Sequence, residues 1–196
     1  MSRPLSDADL ARFKERVCDV AAALFAERGA ENVSMRQIAA ALEVSPMTPY
    51  RYFASREEIL TAVRIRGFET FAARLEAAHA DTPGDGTAKA VAMGRAYIGF
   101  ALANAHTYRL MFGLTQQDDA ADGPLGRAVA RARATLSVIG DRLIARGIPE
   151  AEARATEGLI WSALHGAVGL ELAGTMPPGS AQDTLTLLAR TLGRAG

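Results

Sequence analysis

Residues 34–58, SMRQIAAALEVSPMTPYRYFASREE, carry so many start and stop signals that only short helices joined at steep angles fit the segment. Ser34 is placed to cap exposed N–H groups. Met35, Ile38, Ala39 and Leu42 recur at helical spacing as one apolar stripe, with Arg36 and Gln37 on the other face, which predicts a helix over 35–42. Val44 is then an apolar plug in a turn. Ser45-Pro46 reads as a cap followed by proline at the first helical position, where a missing N–H costs nothing. A second helix is predicted over 46–53. It ends because Ser55, with Glu58 three residues later, is a capping box that opens a further helix.

Two such helices separated by about three residues cross steeply and leave the second exposed on one side. In a helix-turn-helix that exposed side enters the DNA major groove. The second helix offers Pro46, Met47, Thr48, Tyr50 and Arg51: an apolar tip, two hydroxyls and a guanidinium, groups that meet base edges and phosphates. A plain bundle segment would instead show a regular apolar face with Glu and Lys opposite.

The chain has 196 residues, 49% of them hydrophobic, enough for one or two domains with a real core. Its formal net charge is zero, which excludes a polycation that coats nucleic acid indiscriminately. Any DNA affinity must come from a local patch, with Arg36, Arg51 and Arg56 as its candidates. Cys18 is the sole cysteine, so no internal disulfide is possible and a reducing cytoplasm is the natural compartment. It lies beside the apolar stripe Leu10, Phe13, Val17, Ala21 and Leu24, where a buried structural thiol is expected. The N-terminus has Asp7 and Asp9 and no signal-peptide core. The most apolar stretch, 158–170, holds Ser162 and His165 and is too short and too polar to span a bilayer.

The remainder reads as helix throughout, with no persistent alternation of period two. Helices are predicted over about 56–80, 87–104, 106–112, 124–146, 150–173 and 181–194, separated by breaker clusters such as 81–86 and Pro177-Pro178-Gly179. The stretch 115–123, with three aspartates including Asp118 and Asp119, reads as a loop. Counting the N-terminal helix, the expected fold is all-α with about nine helices.

The block 17–63, with ALFAERG (23–29), SMRQIAAAL (34–42) and SPMTPYRYFASREEIL (45–60), resembles the DNA-binding domain of the TetR family of transcriptional regulators. The resemblance implies a three-helix DNA-binding domain over 1–55, an all-helical effector-binding and dimerisation domain over 56–196, and a homodimer. Carried over by position, Arg36 is similar to a residue that reaches a base edge, and Met47, Thr48 and Tyr50 to residues that touch bases and phosphates. Arg56 matches a family lysine that contacts phosphate at the start of the fourth helix. Gln37, on the same face as Arg36, is a further candidate DNA contact, and Ser34 and Tyr52 have a DNA role and a structural role open to them, the latter through packing with Phe53. Two positions depart from the pattern. Glu43 stands where the turn usually has glycine, and Pro49 stands where the family usually has an aliphatic residue and lacks an N–H for the Ser45 carbonyl.

Two further sites are expected. Gly158, Ser162, Gly166 and Gly169 form a strip of small side chains at spacings of three and four, and Leu185, Leu188 and Leu192 lie on one side of the last helix. Together they are placed as the four-helix dimer interface, the alternative being that the strip seats a helix of its own chain. Phe71, Leu75, Met93, Tyr97, Phe100, Tyr108, Met111, Phe112, Trp161 and His165 supply bulky apolar walls with a few polar tips, as small-molecule pockets do, and imply an apolar effector. The same residues would also serve as ordinary core. Trp161 with His165-Gly166 resembles the WHG-type C-terminal subgroup of these regulators. His79, His106 and His165 lack metal-ligand spacing, and no phosphate-cradling glycine loop occurs. No cofactor and no enzymatic activity are therefore expected. The rival reading is a helical ligand-binding or scaffold dimer whose DNA binding has weakened through Glu43 and Pro49.

Overall fold

Caps and breakers divide the described residues into eight α-helices: α1 (Asp7–Arg28), α2 (Met35–Ala41), α3 (Arg56–Asp81), α4 (Gly86–Ala103), α5 (Ala105–Phe112), α6 (Pro124–Ala145), α7 (Glu150–Leu172) and α8 (Ser180–Arg194). The computed structural model describes residues 6–113 and 122–194, the side chains of 192–194 excluded, and contains no strand among them. Most of the 115–123 stretch, including Asp118 and Asp119, lies outside the described residues.

The expected ninth helix, over 46–53, does not form. In its place is a turn followed by a single 3-10 turn, Pro49–Arg51. The cause is Pro49. An α-helix would need an N–H at position 49 for the Ser45 carbonyl, and proline has none. That carbonyl instead accepts from the Thr48 N–H at 2.8 Å, Arg51 N–H bonds back to Thr48 at 3.2 Å, and the segment tightens to the three-residue pattern. The Pro49 ring is fully buried, so it occupies the core position that an aliphatic side chain would otherwise fill.

Contacts divide the chain into two units. The first comprises residues 1–67 and 106–125, the second 68–105 and 126–196. The first unit packs around Val17, Ala21, Phe25, Met35, Ile38, Phe53, Ile59 and Val63, all buried, with Leu110 of α5 against them. Ile38 is completely buried, and such a side chain contributes roughly 1.5–3 kcal/mol relative to its exposed state. The Cys18 thiol is buried in the same core, and burial raises its pKa, so it stays a protonated, inert packing group. α5 meets α3 closely at Gly67, where a Cβ would come within 2.8 Å of Met111 Sδ.

The second unit is a bundle of the C-terminal part of α3 with α4, α6, α7 and α8. Its centre is an aromatic cluster in which Phe71 meets Tyr97 edge-on at 5.2 Å and Phe100 at 5.4 Å between ring centroids. Helix ends are tied down individually. Asp85 caps α4 by accepting from Thr87 N–H at 2.9 Å and Ala88 N–H at 3.0 Å. The Glu171 carboxylate near the end of α7 accepts from Gly179 N–H at 3.0 Å and Ala181 N–H at 2.9 Å, fixing where α8 begins. These N–H groups hold the Glu171 carboxyl below its ordinary pKa. No helix among the described residues is long and apolar enough to cross a membrane.

Candidate nucleic-acid interface and effector cavity

Helix α2 is held at both ends by backbone chemistry. The Ser34 hydroxyl accepts from the Gln37 N–H at 3.3 Å while Gln37 Oε1 accepts from the Ser34 N–H at 2.7 Å, a reciprocal capping box. Both side chains offered from sequence as DNA contacts are thus engaged with each other. At the other end, Glu43 N–H donates to Ala40 and Val44 N–H to Ala39, each at 3.0 Å, which closes a Schellman turn. That turn needs a left-handed residue, and Glu43 adopts φ 58°, the sole positive φ outside glycine among the described residues.

Beyond this turn the sequence-predicted contact residues separate by exposure. Met47 is 67% exposed and Tyr50 46% exposed. Arg36, Pro46 and Arg51 are also exposed, whereas Thr48 is half-buried. Among the described residues neither Arg36 nor Arg51 is paired with a carboxylate, so both guanidiniums are available to an anion. Tyr52 lies against Phe13 of α1 with ring centroids 4.5 Å apart, and packs on the core cluster that contains Phe53. Lys14 Nζ sits 5.7 Å from the centre of the Phe53 ring.

Arg56 opens α3 beside the expected cap. Ser55 Oγ accepts from Glu58 N–H at 3.2 Å, and the Glu58 carboxylate reaches back to Ala54 N–H. The Arg56 guanidinium donates to the Ala30 carbonyl and pairs with Glu57 at 2.6 Å, tying α3 to the turn after α1. Its position at a helix start still suits phosphate, but a phosphate there competes with Glu57.

The residues expected to wall an effector pocket divide between the units. Tyr108 and Met111 are buried in the first unit, and Phe112 lies against Tyr108 at 4.8 Å between centroids. Phe71 and Phe100 are spent in the aromatic cluster. Leu75, Met93, Tyr97 and Trp161 do line a pocket of the second unit, but its volume is only about 40 Å³. His165 faces Tyr97, its Nδ1 being 3.2 Å from the hydroxyl, and burial pushes its pKa down, so it is a neutral hydrogen-bonded core histidine at neutral pH. Trp161 Nε1 is buried without a hydrogen-bond partner.

A larger cavity of about 190 Å³ adjoins, lined by Gly86, Thr87, Ala90, Val91, Val138, Ile139, Arg142, Leu143, Arg146, Ile160, Leu185, Leu188 and Ala189. Sequence reasoning missed most of these. Most are small or aliphatic residues on four helices, and the available signal was Arg142 near the end of α6 and Arg146 in the turn just beyond it, following Val138, Ile139 and Leu143. Leu185 and Leu188, expected at a dimer surface, both line this cavity. Leu185 is buried and packs on Gly94, where a Cβ would come within 2.5 Å of it. Leu185 therefore points into its own chain, because the absent side chain at Gly94 leaves the recess that receives it.

The small strip on α7 has the opposite character. The space above Gly158, Gly166 and Gly169 is open to 4 Å, and Ser162 is exposed. Among the described side chains, Leu159 at 65% and Leu187 at 66% exposure are the most exposed leucines of α7 and α8. The side chain of Leu192 lies outside the described residues. Among those residues no group of three or more His, Cys, Asp or Glu is placed to hold a metal ion.

Comparison with known proteins bears on both units. The model of the bacterial regulatory proteins, tetR family, matches residues 17–63, and that of the tetracyclin repressor-like C-terminal domain matches residues 90–194. The HTH-type transcriptional regulator Rv1816 of Mycobacterium tuberculosis is 32% identical over 88 residues, which are 44% of this chain. The match spans only 38% of that relative's length. A solved protein of unknown function from Rhodococcus sp. RHA1 superposes with a TM-score of 0.80 at 23% identity, covering 99% of this chain and 98% of that one. The TetR family transcriptional regulator PfmR from Thermus thermophilus superposes with a TM-score of 0.67 at 19% identity, covering 89% and 97%. At these identities the structural likeness shows a shared fold.

Proposed function

Since the chain belongs to the TetR family of DNA-binding transcriptional regulators, we propose that it is a ligand-responsive repressor that binds a palindromic operator as a homodimer and leaves it when a small effector occupies the second unit. The family is one of regulators, not an enzyme class. The observation that carries the reading is the exposed group Arg36, Met47, Tyr50 and Arg51 around the α2 turn, with two guanidiniums uncommitted to carboxylates. A near-neutral chain needs such a local patch, doubled by dimerisation, to hold DNA.

In this reading the domain boundary falls at 55/56, and 1–55 is the DNA-binding domain. Arg36 and Met47 read base edges, Tyr50 and Arg51 contact phosphate, and Arg56 exchanges Glu57 for phosphate on binding. Ser34, Gln37 and Pro46 set the pose of the segment. The α7 strip, Gly158 to Gly169, and the outer side of α8 form the two-fold contact. The dimer places two recognition segments about one helical turn of DNA apart, roughly 34–36 Å. The effector acts by binding one spacing of the dimer better than the other, since equal affinity for both would shift nothing. Helix α3, which supplies residues to both units, is the element through which the shift passes. A cytoplasmic location follows from action on DNA. The Trp161, His165-Gly166 pattern supports a WHG-type C-terminal domain.

The test is binding of the purified chain to DNA from just upstream of its own gene, at two salt concentrations and against random competitor. Competitor-resistant, salt-sensitive binding is expected. Indifference to sequence would favour a ligand-binding dimer with weakened DNA contacts, a reading to which the missing recognition helix gives its one specific support.

A further inference from the structure

The cavity of the second unit is apolar except for Thr87 and two guanidiniums. Arg142 is fixed in place: it lies on Gly86, where a Cβ would come within 2.7 Å of its Cδ, and donates to Thr87 Oγ1 at 2.6 Å. Arg146, exposed in the turn just beyond the end of α6, has no carboxylate partner among the described residues. No acidic side chain lines the cavity. Asp85 and Asp141 adjoin the lining residues on the sequence; the Asp85 carboxylate is occupied with the N–H groups of Thr87 and Ala88, and Asp141 pairs with Arg154 at 2.6 Å. With both carboxylates committed, the two guanidiniums leave a net positive end on an otherwise hydrocarbon chamber. A chamber of that kind discriminates for a charged head on an apolar chain.

The chamber also has a continuation. Ala90, Ile139, Ile160 and Leu185 line both it and the smaller pocket of about 40 Å³ that Trp161 borders; the one acidic residue of that pocket's lining, Glu157, is paired with Arg154 at 3.0 Å. At about 30 Å³ per water-sized group, the two together accommodate roughly seven chain carbons in single file, with the head group beyond them at the exposed Arg146. We propose that the effector is an amphipathic carboxylate, a straight aliphatic acid of six to eight carbons or a molecule presenting that shape, with its head on Arg142 and Arg146 and its chain running past Leu185 toward Trp161. This rests on the effector-binding reading above and replaces the purely apolar effector expected from sequence with an anionic one.

Trp161 is the chain's one tryptophan, so its emission reports occupancy of the inner pocket. Fluorescence titration of the full chain with butanoate, hexanoate, octanoate and dodecanoate, and with octan-1-ol and octylamine as head-group controls, tests the proposal. Affinity is expected to rise about fourfold per methylene up to octanoate and then level off. Octanoate is expected to bind at least about tenfold more tightly than octan-1-ol, and octylamine most weakly. The double variant Arg142→Met, Arg146→Met should bring octanoate to the affinity that octan-1-ol shows on the same variant. Equal binding of octanoate and octan-1-ol by the unaltered chain overturns the proposal without recourse to any variant, as does absence of a response to octanoate at millimolar concentration. A carboxylate preference that survives the double substitution overturns the assignment of the head site.

Operator release measured alongside separates the two readings. Release by a neutral apolar compound with no octanoate binding would overturn the anionic site and leave the repressor reading intact. Head-group-dependent octanoate binding without any change in DNA binding would establish the site's chemistry and overturn the effector reading.

Discussion

Glu43 holds a conformation that its side chain opposes. At φ 58° it closes the turn after α2 in the left-handed region, which costs an L residue with a Cβ about 1–2 kcal/mol. Its carboxylate also sits at the C-terminal end of a helix, where the dipole disfavours negative charge. Glycine removes both penalties but loses roughly 0.5–1 kcal/mol to greater unfolded-chain freedom. Glu43→Gly should therefore stabilise the chain by about 0.5–1 kcal/mol, raising Tm by about 1–4 °C for a chain of this size. A lower melting temperature for the variant would show that Glu43 makes a compensating interaction. The position was legible in sequence as a departure from glycine, because a family turn specifies its backbone sign. Cys18 was equally legible, since it lies beside the apolar stripe of α1 and is buried there.

At the scale of elements, capping residues and breakers predicted each α-helix from α2 onward to within a residue or two, and failed at the one segment where a second proline stands inside the helix that the first would start. Pro46 suits a first helical position, but Pro49 removes the donor that the Ser45 carbonyl needs, and a single missing N–H suffices in an element of two turns. Pro49→Leu supplies that donor and an apolar side chain for the same buried site. It is expected to lengthen the 3-10 turn into an α-helix, visible as added helical amide protection in hydrogen exchange over 47–53, and to change sequence preference on DNA more than overall affinity. Unchanged protection would mean that the tight turn is set by packing instead of by proline. The cavity was less legible than the helices. Aromatic residues were expected to line it, yet Phe71 and Phe100 satisfy each other, while small aliphatics on α4, α6 and α8 leave the space. Absence of volume has no sequence motif. The start of α8 offers a pH test. Glu171 has its folded pKa depressed chiefly by the Ala181 N–H and then the Gly179 N–H. A depressed carboxyl contributes stability that is present above its unfolded pKa, ordinarily about 4.3, and is lost as pH falls through the folded value. Glu171→Gln should melt lower than the unaltered chain near neutral pH, with the two melting temperatures converging as pH falls through the depressed folded value. A difference that persists undiminished in acid would assign the effect to lost packing.

For the whole molecule the decisive quantity is the number of chains that meet the DNA. One chain presents few uncommitted cations, and each phosphate neutralised contributes a slope of only about −0.9 in log affinity against log salt on duplex DNA. Two chains on one palindrome double that slope and add the two sets of base contacts, so a monomer would bind its operator little better than random sequence. The surface available for pairing is the open strip of α7 with Leu159 and Leu187 exposed beside it. Neither leucine is needed by its own chain's core, so replacing both with lysine tests association without disturbing the fold. Leu159→Lys with Leu187→Lys should leave helix content and thermal unfolding of the isolated chain nearly unchanged, shift sedimentation from dimer to monomer, and lower operator affinity at least about a hundredfold while halving its salt slope. A variant that still sediments as a dimer would place the two-fold contact on another face. A clean monomer that retains full operator affinity would remove the palindrome from the mechanism altogether.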